Sequence, residues 1–190
     1  MKNKELTKKI TQIAMLSVIV VVLALISNYI TFGPVSITLA LIPIVIGSII
    51  LGPTAGFILG VVNCIVVITA PSTQALFFSF SPFWTILVCV LKTGIAGLLA
   101  GLIFKLLKNK NFFIAVLLAS ISVPIINTGL FSVACMSVFL PLIKSLTETG
   151  ANAYTFIFLT MIGFNFIIEF VVNVVLSSTI AHIVKIVKKD

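Results

Sequence analysis

Followed from end to end, the chain alternates long apolar runs with short breaks that are polar or rich in proline and glycine. A helix crosses a bilayer with roughly 20 mostly apolar residues. Six passages are read on that basis, at 10–30, 38–51, 54–69, 83–107, 112–140 and 154–184. The second is short and holds Pro43, and Gly52-Pro53 after it is a turn signal. Pro124 interrupts the fifth, and Lys108-Asn109-Lys110-Asn111 separates it from the fourth. The breaks at 70–82 and 141–153 read as long loops. The pattern predicts an all-α membrane protein, one integral domain over 1–190 folded as a six-transmembrane-helix bundle. The first apolar run continues past Leu25 with no small-x-small cleavage site, so it reads as a retained helix rather than a signal peptide.

Composition agrees with that reading. Hydrophobic residues make up 61% of the chain and charged ones 8%, where a soluble domain carries about 25% charged residues. A cytosolic enzyme and a disordered chain are thereby excluded. The net charge of +8 comes from lysines without a single arginine, which argues against a nucleic-acid partner, since such proteins exploit the arginine fork. Charge placement carries topology instead. Lys2, Lys4, Lys8 and Lys9 precede the first passage, Lys105, Lys108 and Lys110 lie between the fourth and fifth, and Lys185, Lys188 and Lys189 follow the sixth. With an even number of passages all ten share one side, opposite Lys144. Both termini are therefore expected in the cytoplasm, and the 70–82 and 141–153 loops outside.

Few polar residues remain inside the membrane. Lys92 lies about 13 Å from the outer end of its helix at about 1.5 Å per residue, and Glu169 lies mid-helix in the sixth passage. A charge at such depth costs roughly 2.5–3.5 kcal/mol and usually marks a binding or ion pathway. Either the two pair and lock their helices together, or they line a cavity, or both. Asn165, Glu169, Asn173 and Ser177 recur every four residues, forming a stripe that must face the bundle interior. Asn127 stands one turn from Pro124, whose missing N–H frees a carbonyl. Asn63 reads as interhelical glue. Gly52, Gly56 and Gly60, with Gly97 and Gly101, form G-x-x-x-G steps for close helix packing.

Other chemistry is absent. Cys64, Cys89 and Cys135 have no C-x-x-C spacing, and His182 stands alone, so no metal site is expected. There is no P-loop, no H-E-x-x-H and no G-x-S-x-G, so neither a catalytic residue nor a cofactor is expected. An enzyme would have to run on Lys92, Glu169 and amides. The outer stretch 71–84, with Gln74, Phe80 and Trp84, reads either as an interfacial aromatic belt or as a lid that excludes water from a ligand.

The segments Pro34-Val35-Ser36-Ile37-Thr38, Leu41-Ile42-Pro43-Ile44-Val45-Ile46-Gly47 and Leu51-Gly52-Pro53-Thr54-Ala55-Gly56-Phe57-Ile58-Leu59-Gly60 resemble the substrate-binding S components of energy-coupling factor (ECF) vitamin transporters. The resemblance covers nearly the whole chain. Phe80-Ser81-Pro82, Lys92, Asn127-Thr128, Asn165 and Glu169 look most like the pantothenate type. Lysine stands where that type has arginine, and Asn-Phe-Ile-Ile-Glu where it has Asn-Gly-x-x-Glu. The resemblance implies a multi-pass protein of the bacterial plasma membrane with a small water-soluble vitamin as ligand. Lys92 would then meet a carboxylate, Asn127 and Asn165 would hydrogen-bond the ligand, and Glu169 would orient Lys92 or the ligand. Riboflavin is the alternative ligand, and a small secondary transporter working alone is the alternative of another class. The resemblance also implies docking on a transmembrane scaffold subunit that carries two ATPases. The docking face is carried by small residues of the first helix, here Ala14, Ser17 and Val18, the last in place of a second alanine.

Overall fold

A computed structural model describes residues 2–32, 35–147 and 152–187. Lys188, Lys189 and Pro34 of the quoted motif lie outside them. Helix α1 (Lys2–Ser27) leads into a two-residue hairpin, β1 (Thr31–Phe32) antiparallel to β2 (Val35–Ser36). Helices α2 (Leu41–Leu51) and α3 (Pro53–Thr69) follow. Between them Gly52 takes φ +100°, a conformation an L side chain rarely adopts, and Pro53 opens the next helix at a position that needs no N–H donor. A proline turn and a π-helical stretch form α4 (Pro71–Phe78), bent 70° from α3. Then come α5 (Pro82–Leu107) and α6 (Phe112–Met136), the latter capped by Asn111, whose side chain accepts from the Phe113 and Ile114 N–H groups. Helix α7 (Leu140–Leu146) precedes α8, which begins at Ala153–Thr155, passes through π-helical Phe156–Gly163 and ends as Phe164–Val187.

Among the described residues four helices are long and apolar enough to cross a membrane, or five if the bent α3–α4 pair is one span. Helix α2, with 11 residues, is too short to span by itself. The boundaries also differ from the sequence reading. The first helix begins at Lys2 and ends at Ser27, because the chain turns there into the hairpin. The fifth passage ends at Met136 rather than 140. The described residues of the two stretches read as loops are largely helical, since Phe77 of α4 and Ile143 of α7 pack inward. Phe77 and Ile143, with Phe139 just before α7, are buried with Cys135, Ile157 and Met161 in an apolar cluster of their own. A larger cluster, built on Leu41, Ile44, Leu59, Val116, Val123 and Ile180, fills the rest of the bundle.

Helices α3 and α5 run antiparallel with their backbones touching. A Cβ on Gly56 or on Gly97 would strike the other's carbonyl, and one on Gly60 would strike the Thr93 carbonyl. The Thr93 hydroxyl donates across the seam to the Gly60 carbonyl at 2.8 Å. At one end of the bundle, Gln12 and Leu16 share a groove with Ile50 and Ile183, the Phe104 ring meets that of Phe112, and Lys185 Nζ lies 5.5 Å from the Phe112 ring. The start of α1, the α2–α3 turn, the end of α5, the start of α6 and the end of α8 therefore gather there. Lys4, Lys8, Lys9, Lys105, Lys108, Lys110 and Lys185 share that end, and Lys144 on α7 lies at the other.

Replacing Gly60 with valine forces α3 and α5 apart, and overpacking of this kind costs about 1–3 kcal/mol. Gly129→Ala, at a position with open space around its Cα, is the matched control. Thermal unfolding in detergent is expected to show a clearly lowered midpoint for the first and an unchanged one for the second.

Candidate functional site

The stripe on α8 faces inward: Asn165, Glu169, Asn173 and Ser177 are all buried. Glu169 is 5% exposed. Its carboxylate accepts from the Thr38 N–H at 2.7 Å, and the Thr38 hydroxyl and the Asn127 amide are also hydrogen-bonding neighbours. Thr38 is held there by the hairpin, which turns the chain down into the bundle before α2 begins. One turn along α8, Asn173 donates its amide to the Glu169 carbonyl at 2.8 Å, and Asn165 donates to the Met161 carbonyl at 3.2 Å. Glu169 thus ties together α8, α6 and the segment entering α2.

Lys92 projects from α5 into the same interior and is 8% exposed. No carboxylate comes within ion-pair distance of it among the described residues. Glu169 is near enough for the two charges to attract, but they do not touch, so they are not the interlocked pair that one sequence reading allowed. Its ammonium lies over the Phe131 ring, with Nζ 4.8 Å from the centroid, a cation–π contact. Lys92 lines a cavity walled by Phe77, Phe131 and Phe139, with Thr73, Thr85 and Cys89. Its volume is about 30 Å³, room for a water or two and for nothing of vitamin size.

Several buried polar atoms have no hydrogen-bond partner among the described residues: both amide atoms of Asn63, and the side-chain carbonyl oxygens of Asn127 and Asn173. An unpaired buried amide group costs about 1–3 kcal/mol. Asn63, fully buried on α3, is therefore not the hydrogen-bonded glue expected of it.

The other sequence-derived candidates lie elsewhere in this conformation. Gln74 donates its amide to the Ile68 carbonyl at 2.6 Å, tying α4 to the end of α3. Phe80 is 43% exposed and meets Phe139 edge to face. Trp84 is 41% exposed and lines a lipid-side groove with Leu91, Leu130 and Val133. Ala14 and Val18 are exposed on α1, and Ser17, half-buried, returns its hydroxyl to the Ile13 carbonyl. Sequence reasoning missed Thr38, Phe131 and Phe139. Phe131 follows Asn127 by four residues, a same-face spacing that flags it. Thr38 acts through its backbone, which no side-chain pattern reveals.

A family model described as "ECF transporter, substrate-specific component" matches residues 8–181. No curated protein and no solved structure gives a match.

Glu169→Leu leaves the Thr38 N–H and the Asn127 amide without an acceptor, whereas Glu169→Gln keeps a carbonyl oxygen for them. Unfolding followed through the single tryptophan is expected to show the leucine variant destabilised by about 1–3 kcal/mol per orphaned donor. The glutamine variant is expected to fall between it and the wild type.

Proposed function

The chain belongs to the substrate-specific component family of ECF transporters, and we propose that it captures pantothenate from outside the cell and delivers it through an ECF energising module. Membership makes it a membrane-embedded transport component rather than an enzyme. The observation that carries the ligand reading is Lys92, a buried ammonium with no carboxylate in contact among the described residues, beside a cavity and close enough to Glu169 for the two charges to interact. Such a cation suits a ligand carboxylate. Glu169 and the open carbonyl of Asn127, with Asn165 one turn outward, suit the hydroxyl and amide N–H groups of the same small molecule. The lysine-rich end of the bundle faces the cytoplasm, as the distribution of lysines requires, and the cavity faces outward.

A cavity of about 30 Å³ is too small for such a ligand, so its entry requires Phe77 on α4 and Phe139 just before α7 to move away from Lys92. The aromatic α4–α5 junction, with Gln74, Phe80 and Trp84, then serves as the lid. Delivery takes place on a transmembrane scaffold subunit with its two ATPases, met by the uncovered face of α1 at Ala14, Ser17 and Val18. Riboflavin is the second reading, favoured by the Phe77, Phe131 and Phe139 rings around the cavity, which suit a flat aromatic ligand.

Calorimetry on the purified protein separates the two. Pantothenate is expected to bind, and Lys92→Met to weaken it roughly tenfold to a hundredfold, the value of a charge-assisted contact. Riboflavin binding that survives Lys92→Met would instead support the second reading. Uptake by proteoliposomes of the chain alone, without ATPase subunits, would overturn the module-dependent mechanism.

A further inference from the structure

Three cysteines lie buried in the bundle, and two of them face each other. Cys64 on α3 and Cys89 on α5 are 2% and 6% exposed, and their thiols are hydrogen-bonding neighbours. The glycine seam puts them there. A Cβ built on Gly60 would lie 2.8 Å from the Gly94 Cα, so the helix backbones are in contact at that level. Cys64 stands one turn outward of Gly60, and Cys89 one turn outward of Thr93. A disulfide needs adjacent thiols on closely approaching backbones, and these two thiols are hydrogen-bonding neighbours one turn from the Gly60–Gly94 backbone contact. Cys89 also lines the Lys92 cavity, whose volume of about 30 Å³ admits a water-sized oxidant. Cys135 is buried on α6 without a thiol neighbour among the described residues.

We propose that Cys64 and Cys89 form an oxidisable dithiol site on the wall of the Lys92 cavity, closing to a disulfide between α3 and α5 when a peroxide enters. Cys89, the thiol exposed to the cavity, attacks the peroxide. The O–O bond breaks, Cys89 becomes a sulfenic acid, and the departing hydroxide leaves as water with the thiol proton. Cys64 then attacks the Cys89 sulfur. The S–O bond breaks, the S–S bond forms, and a second water carries away the Cys64 proton. Two thiols lose two electrons and hydrogen peroxide gains them. The bond staples α3 to α5 just outward of the glycine seam, on the wall of the cavity that carries Lys92. The inference rests on the two thiols and the cavity alone and is independent of which substrate the cavity takes.

The test is hydrogen peroxide added to the purified protein in detergent, followed by unfolding, alkylation of the remaining thiols and peptide mass mapping. The expected product is a Cys64–Cys89 disulfide that dithiothreitol reverses, with Cys135 alone alkylated. In Cys64→Ser the reaction is expected to stop at a Cys89 sulfenic acid that dimedone captures, and in Cys89→Ser Cys64 stays alkylatable. Three alkylated thiols in peroxide-treated wild type would overturn the proposal, as would dimedone capture on Cys64 in Cys89→Ser.

Discussion

The backbone contact between α3 and α5 sets the position of everything outward of it. Gly56, Gly60 and Gly97 let two helices meet without side chains between them, and in a bilayer such contact stands in for the missing hydrophobic drive between apolar helices. Once that seam is in register, the outward turns follow by helical geometry. Cys64 faces Cys89, and Lys92 emerges one turn from Cys89 toward α6. A single bulky residue on the seam would therefore disturb both the packing and the placement of Lys92, the one lysine buried among the described residues.

The membrane imposes a second constraint on top of the first. A polar group there has no water to fall back on, so each must find a partner in the bundle or await one from outside. Glu169 meets this demand with donors from two other segments of the chain, Thr38 before α2 and Asn127 on α6. Among the described residues Lys92 meets it through an aromatic ring, and Asn63, Asn127 and Asn173 leave amide atoms open. Within one interior, then, some polar groups are saturated and others are not. A purely structural network gains from completing every bond, so the uneven satisfaction supports the proposed ligand site.

The apolar passages, the turn at Gly52-Pro53 and the inward stripe on α8 were legible from the residues, because hydrophobic periodicity and glycine spacing report directly on packing against lipid and neighbouring helices. The helical outer segments were not. Proline, serine and threonine at 70–82 read as loop composition, yet Phe77 inside that stretch packs against Phe131 and Phe139, and that tertiary burial decided the outcome. The same holds for α7, where Pro141 sits in the first turn and does not break the helix. At the site, Lys92, Asn127, Asn165 and Glu169 announced themselves as expensive residues in apolar surroundings. Thr38 did not, because it contributes a backbone N–H whose position depends on the hairpin. Nor could the sequence tell that Lys92 and Glu169 stop short of an ion pair, since that depends on distances across three helices.

The two charges near the site illustrate why proximity without contact matters. A buried pair in contact satisfies itself, and opening it to admit a ligand carries the full penalty of parting two desolvated charges. Here Glu169 is already committed to Thr38 and Asn127, so on the proposed function an anionic ligand at Lys92 would displace the aromatic contact with Phe131, worth about 0.5–2 kcal/mol. The carboxylate stays in place as a fixed acceptor, and the ammonium lies buried against the Phe131 ring. This division of labour lets one lysine in a chain with 8% charged residues remain buried and available at the same time.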